Sequence, residues 1–554
     1  MDLKKLILKH TLQNAVKFDI PQIGAVIGKV LSEQPELKSD MQNVKLAVQN
    51  TIAEVSVMGK EERMEKLQEI APEMLEKKEK KKRELPELKN AVIGNVITRI
   101  PPEPSKYAHI GHAISFLINS TYAEKYRGKC IVRFEDTNPE TCRQEYVDAI
   151  MEDLEFLGIH PDEVINVSQH MGEFYLMAEQ LITAGKAYTC LCPREKMQEL
   201  RRSGKSCECR SKRDAMHDWE DMLAGKYADG TIILRLIGDM ENNNHVMRDP
   251  VLFRVSRVLH YLHKDKYIVW PMYDFANATM DGINRITHIL RSNEFGTMRT
   301  ELQSYIKDLL SLPKQTVIEY GRFAITGATT KGREIRQMIE EGKVSGWDDP
   351  RLVTIKALRR RGFVKETFKE IMVKAGLSPA PTNLDWTMVE AINRKFLDAS
   401  CNRYFFIHDP VEITIKNAPN LQLELNLHPD RKGGRKFSTA NNFYIAAADY
   451  DKLENDGLYR LMDCMNFVKK DSSFVFDSKE VDKFKQHGKS TMHWLPVNDE
   501  LVEVHLLMND GNTISGLAEP AVKNISVGDI VQFARFGFAR LEDKEKMNFV
   551  FSHM

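Results

Sequence analysis

Two absences bound the reading before any motif is considered. No apolar run reaches the roughly 20 residues that a bilayer-crossing helix needs, so no membrane partner is expected. Neither sign of charge is in excess: 79 Lys and Arg face 79 Asp and Glu. The chain is therefore not basic overall, and any nucleic-acid surface has to be a local patch of placed cations. Cysteine is sparse, at eight residues. The opening Met1-Asp2-Leu3-Lys4-Lys5 runs into a charged amphipathic pattern, not a secretory apolar core. A reducing cytoplasm is the expected compartment, where clustered thiols bind metal and do not pair as disulfides.

What is present suits a multidomain globular chain. At 554 residues, 42% hydrophobic and 29% charged, it has length for several separate cores. Residues 1–85 read as a helical N-terminal domain, with Leu6, Leu8, Leu12, Ala15 and Val16 at helical spacing, then Val26, Ile27, Val30 and Leu31. The run Lys77-Lys78-Glu79-Lys80-Lys81-Lys82-Arg83 is read as the linker that ends it.

From Ala91 strands alternate with helices: a strand to Ile100, a helix from Ala113 to Tyr126, a strand over Cys130–Phe134, and a helix from Arg143 to Leu157. That order predicts a parallel sheet with right-handed crossovers. Ligands on such sheets bind beyond the carboxyl ends of the strands. There fall His109-Ile110-Gly111-His112 and Glu135-Asp136-Thr137-Asn138. A histidine-flanked glycine at a helix start suits a nucleotide phosphate, because helix N-termini favour anions and imidazoles bond phosphoryl oxygens.

Cys190-x-Cys192 and Cys207-x-Cys209, in a stretch rich in Arg and Lys, present four thiols with the logic of a structural zinc site. Helical patterns return from Glu301 to about Asp398. Beyond Asn402 the texture becomes period-two runs, Val411–Ile415, Leu421–Leu427, Val502–Met508 and Asp529–Phe533, with a turn at Asp510-Gly511, which read as β-barrels.

The stretch Arg99-Ile100-Pro101-Pro102-Glu103-Pro104-Ser105-Lys106-Tyr107-Ala108-His109-Ile110-Gly111-His112 closely resembles the signature of glutamyl- and glutaminyl-tRNA synthetases of archaeal and eukaryotic type, class I enzymes. Arg133-Phe134-Glu135-Asp136-Thr137-Asn138-Pro139, Gly346-Trp347-Asp348-Asp349-Pro350-Arg351-Leu352, Asn402-Arg403-Tyr404-Phe405-Phe406 and Gly528-Asp529-Ile530-Val531-Gln532-Phe533 match later blocks of that family in its order.

The resemblance implies a Rossmann-type catalytic domain in two halves, 91–184 and 266–300. Between them lies an acceptor-stem insertion over 185–265 that carries the cysteines. A helical connector with the second ATP loop over 301–398 and anticodon-binding β-barrels over 399–554 follow. Implied ATP contacts are Pro102, His109, Gly111 and His112, with Lys331 and Arg333 from the second loop, and His109, His112, Lys331 and Arg333 would serve catalysis. Implied substrate contacts are Arg99, Pro101, Glu103, Asp136, Tyr273, Asn277 and Arg291. Arg99 and Arg291 would hold a glutamate side-chain carboxylate, as a guanidinium fork does well. Glutaminyl enzymes carry a small uncharged residue where Arg291 stands, which favours glutamate, since a buried unpaired guanidinium is costly.

The implied activity is ATP- and magnesium-dependent ligation of L-glutamate to tRNA(Glu) through an adenylate, by a monomer with zinc in its insertion. Two departures stand out. Phe323 to Ile335 replaces the family's Ser-Lys-Arg-Lys loop, so that Lys331 takes the place of the serine, Gly332 that of the lysine, and Glu334 that of a base. In the first loop Lys106 stands where the family usually has glycine, and Ile114-Ser115 replaces Lys-Ala. These departures motivate a second reading, a tRNA-binding paralogue with impaired activation. A glutaminyl enzyme is the third.

Overall fold

In the computed structural model residues 3–18, 20–74 and 84–554 are described; the basic run of residues 77–83 lies outside them. The chain divides into two compact units, before and after the boundary between residues 83 and 84.

The first unit holds helices α1 (Leu3–Phe18), α2 (Ile23–Glu33), α3 (Met41–Ser56) and α4 (Lys60–Ile70). Leu6, Ile7, Val26, Val30, Val44 and Val48 form one core, and Leu12, Ala15, Val55 and Leu67 contribute to a second. Buried Lys9 and His10 both reach Glu33, at 2.5 and 2.8 Å, while His10 Nδ1 has no hydrogen-bond partner among the described residues.

The second unit opens on β1 (Ile97–Ile100), α5 (Ile110–Lys125), β2 (Lys129–Phe134), α6 (Gln144–Leu157), β3 (Glu163–Asn166) and α7 (Met171–Thr183). Strand β1 is shorter than the expected Ala91–Ile100. Asn90 and Gly94 take positive φ, 60° and 86°, and the Gly94 N–H donates to the Tyr126 carbonyl, which turns residues 90–96 out of extension.

An antiparallel sheet then interrupts: β4 (Ala187–Cys190), α8 (Arg194–Ser203), α9 (Cys209–Lys212), α10 (Ala215–Leu223), β5 (Ile233–Leu236), β6 (Val251–Val255) and β7 (Val269–Pro271). The parallel strands resume with α11 (Tyr273–Ile283), β8 (His288–Ser292), α12 (Gly296–Leu309) and β9 (Thr316–Tyr320). Strands β1, β2 and β3 are parallel neighbours, as are β8 and β9. The Thr287 N–H donates to the Ile97 carbonyl at 3.0 Å, which sets β8 beside β1. Strand order therefore reverses between β1 and β8, the crevice where open α/β sheets bind ligands. The helical run expected from 301 is broken by β9, which joins β8 and extends this sheet.

Strand β10 (Phe323–Ile325) leads through the second loop to α13 (Gly332–Glu340), and further helices end at Ser400. Beyond lie two seven-stranded sheets, one ordered Asn402–Tyr404, Ile530–Phe533, Gly537–Asp543, Asn548–His553, Val502–Leu507, Thr513–Ala518, Phe406–His408. In each sheet the outermost strands are consecutive in the chain, and this β-rich region contains one nearly closed barrel. The predicted turn is present: Gly511 takes φ +91°, and the Met508 N–H donates to the Asn512 carbonyl at 2.8 Å.

Candidate active site

The first loop is built by the start of α5. His109 is its N-cap: its Nδ1 accepts from the Gly111 N–H at 3.1 Å, while His112 Nδ1 accepts from the His109 N–H at 3.2 Å. The rings lie 3.9 Å apart between centroids. Burial, then Lys106, holds the His112 imidazole down to about 3, and burial holds His109 well below its ordinary value. Both rings are neutral near pH 7. Gly111 is demanded by the fold as well as by any ligand, because a Cβ there would lie 2.9 Å from the Phe323 carbonyl oxygen.

These groups line a cavity of about 840 Å³ at the switch point, together with Arg99, Pro101, Pro102, Glu103, Tyr273, Arg291 and Lys331. Arg99, on β1, donates from Nε to Asp281 Oδ1 at 3.1 Å, and its Nη1 has no hydrogen-bond partner among the described residues. Arg291, on β8, does not wait unpaired. Its Nη1 donates to Gln303 at 3.0 Å, Nη2 donates to Thr300, and Glu319 accepts at 3.3 Å. Tyr273, first residue of α11, has its phenol pushed up to about 12 by burial and then by Glu135.

Three predicted residues stand elsewhere. Asp136 does not line the cavity: its oxygens accept from the Ser168 N–H and hydroxyl, Asn166 and Tyr261, all within 3.0 Å, so they bind β2 to β3. Alternation places its neighbour Glu135 on the cavity wall instead, a residue sequence reasoning passed over by one position. Asn277 is fully buried behind Glu135, to which it donates at 3.2 Å. Arg333 is exposed and off the lining. Lys331 does line it, yet its ammonium is 2.8 Å from Glu334.

Below the floor, Asp281 accepts ion pairs from Arg99 at 3.1 Å, Arg133 at 2.9 Å and Lys307 at 3.7 Å, and Arg133 also pairs with Glu135 at 2.9 Å. With Arg291 and Glu319 this makes four cations (Arg99, Arg133, Arg291, Lys307) and three carboxylates (Asp281, Glu135, Glu319), one positive charge in surplus. An acidic ligand balances it.

In the insertion, Cys190, Cys192, Cys207 and Cys209 bring their Sγ atoms within 4.8 Å of one another. Sγ–Sγ separations of 3.9, 3.2 and 3.9 Å bracket the edge of about 3.8 Å that a tetrahedron of Zn–S bonds near 2.3 Å requires. The donor set fits zinc.

Family models match nearly all of the second unit: "tRNA synthetases class I (E and Q), catalytic domain" over residues 95–399, and the anti-codon binding domains of the same family over 401–486 and 491–542. The chain belongs to the class I E and Q tRNA synthetases. Curated relatives agree end to end. A glutamate–tRNA ligase of Pyrococcus furiosus is 36% identical over 576 residues, covering 100% of both chains. That of Pyrococcus abyssi is 37% identical, and that of Korarchaeum cryptofilum 34%, again over 100% of each. A glutamate-tRNA synthetase structure from Elizabethkingia anophelis overlaps 55% of this chain and 71% of its own at a TM-score of 0.39 and 18% identity. As in other α/β nucleotide sites, this E and Q synthetase gathers its lining from loops distant in sequence. No described helix is long and apolar enough to cross a membrane.

Proposed function

We propose that this protein is a glutamate–tRNA ligase. The observation that carries the amino-acid choice is the surplus positive charge where Arg99 and Arg291 flank the crevice between β1 and β8. Those arginines receive the side-chain carboxylate, Glu103 and Glu135 face the α-ammonium, and Tyr273 adds a neutral hydrogen bond. Pro101 and Pro102 hold the loop open without competing N–H donors. His109 and His112 donate to the phosphates of ATP while uncharged. Magnesium enters with the triphosphate, since it is held by phosphate oxygens and few protein ligands.

An α-carboxylate oxygen of glutamate attacks the α-phosphorus, and the bond to the bridging oxygen breaks with its electron pair on pyrophosphate. The 2′-hydroxyl of the terminal tRNA adenosine then attacks the glutamyl carbonyl, its proton passing to a phosphate oxygen of the AMP that departs. The protein aligns reactants and stabilises charge at phosphorus. Residues 185–265 grip the acceptor end. The C-terminal sheets read unpaired anticodon bases of tRNA(Glu), whose edges and faces a duplex hides. The enzyme acts as a cytoplasmic monomer.

The test is tRNA-dependent pyrophosphate exchange with glutamate against glutamine. Faster exchange with glutamine overturns the reading. The same assay carries a pH signature. Burial, only partly offset by Asp281, lowers the Lys307 ammonium to about 8. Above that pH its charge is lost and the surplus disappears. The KM for glutamate is expected to rise through pH 8 and above, and Lys307→Met removes that rise.

Zinc at the four cysteines would staple a segment with few core residues and take no part in the chemistry. Metal analysis is expected to find one zinc per chain, and Cys207→Ser to lose it together with thermal stability. Zinc-free protein of unchanged stability refutes the assignment.

A further inference from the structure

The two departures noted in the sequence meet in space. The Lys106 side chain lies across Gly332: a Cβ on that glycine would sit 2.8 Å from Lys106 Cδ and 3.1 Å from its Cβ. Unbonded carbons rest at about 3.5–4.0 Å, so the Lys106 side chain as placed occupies the space into which a side chain at position 332 would extend. The two loops are also tied together, because Arg336 of α13 donates to the Ser105 carbonyl at 2.9 Å.

The cations of the cavity wall differ in one respect. Arg99 is paired with Asp281, Arg291 with Glu319 and Lys331 with Glu334; Arg254 is likewise paired with Glu140, Arg299 with Asp274 and Arg322 with Glu294. Lys106 also lines the cavity, and among the described residues no carboxylate stands within 4.0 Å of its ammonium. Among the described cations that line the cavity, it is the one with no carboxylate at ion-pair distance. Lys331, by contrast, is 70% exposed at its side chain and forms a solvent-screened ion pair with Glu334 at 2.8 Å.

We propose that Lys106, reaching from the first loop, is the catalytic cation that neutralises the pyrophosphate leaving group, in place of a lysine at position 332. The inference rests on the glutamate–tRNA ligase reading. As the carboxylate–phosphorus bond forms and the bridging P–O bond breaks, the electron pair goes to pyrophosphate. No proton moves, and the ammonium stays protonated beside the new charge. Burial, partly offset by Glu103, holds that ammonium below the usual lysine range, so an arriving phosphate restores what desolvation removes.

The test is pyrophosphate exchange by the full chain with tRNA, ATP and glutamate. Lys106→Met is expected to lower kcat about 100-fold, the typical loss for one missing group of this kind, with KM for glutamate changed by less than about threefold. The exchange Lys106→Gly with Gly332→Lys is expected to recover at least about tenfold over Lys106→Gly alone, since it refills the same slot from the other loop. A Lys106→Met enzyme with undiminished kcat, or a double variant no better than Lys106→Gly, overturns the proposal. If the parent itself fails to exchange with glutamate, the ligase reading fails. Calorimetric binding of inorganic pyrophosphate then decides Lys106 separately: weaker binding in Lys106→Met upholds it, and equal binding refutes it.

Discussion

Replacing Arg291 by glutamine is expected to lower kcat/KM for glutamate about 10²–10³-fold, because truncating one partner of a buried charged hydrogen bond costs some 2–5 kcal/mol. The loss should fall mainly on KM, since the side-chain carboxylate is held alike before and during the reaction. Folding should be little affected. The carboxylate left behind, Glu319, keeps 19% of its side-chain surface in water and still accepts from the Thr300 hydroxyl at 3.1 Å. Exchange kinetics and a thermal melt of the same preparation check both halves. An Arg291→Gln enzyme with the parent KM would mean that glutamate is bound elsewhere.

Asp281→Asn is expected to act through stability first. Asp281 is completely buried and faces Arg99, Arg133 and Lys307 at once. Burial alone would raise its carboxyl, but those three cations more than offset it and hold it below the ordinary range. Asparagine keeps the shape and removes the charge. Arg133 then keeps Glu135, while Arg99 and Lys307 lose the carboxylate they pair with, and breaking such a network costs about 3–5 kcal/mol. The denaturation midpoint should fall accordingly, and Arg99, released at Nε, should bind glutamate poorly. The linkage has a definite sign. A carboxyl depressed on folding stabilises above its unfolded pKa of about 3.9, and this contribution is lost as pH falls through the folded value. The parent should therefore lose stability at the acid end of that window more steeply than Asp281→Asn. Equal midpoints at pH 7 would remove Asp281 from this account.

Much of this was legible in the chain. Alternating strands and helices placed the His109 and Glu135 loops at one crevice, and period-two runs announced the β-rich C-terminal region. The family resemblance implied a shared site for Arg99, Tyr273 and Arg291, and all three line one cavity. What was not legible was partnership. Nothing in a linear motif tells that Asp136 spends its oxygens on Ser168, Asn166 and Tyr261, which lie 30 to 125 positions further on. Likewise Arg291 meets Glu319 only because β9 pairs with β8. The one-position slip from Glu135 to Asp136 is a matter of which way alternate side chains point once the strand has ended. Asp281 went unremarked for the same reason: an acid in a helix looks ordinary until three cations converge on it.

The cap at the head of α5 has a consequence for proton chemistry. Each Nδ1 of His109 and His112 receives an amide hydrogen and so must present a lone pair there. With both imidazoles uncharged, the one ring hydrogen each retains is confined to Nε2. Helix initiation thereby selects the tautomer of both rings, leaving two oriented donors that need no adjustment when a nucleotide arrives.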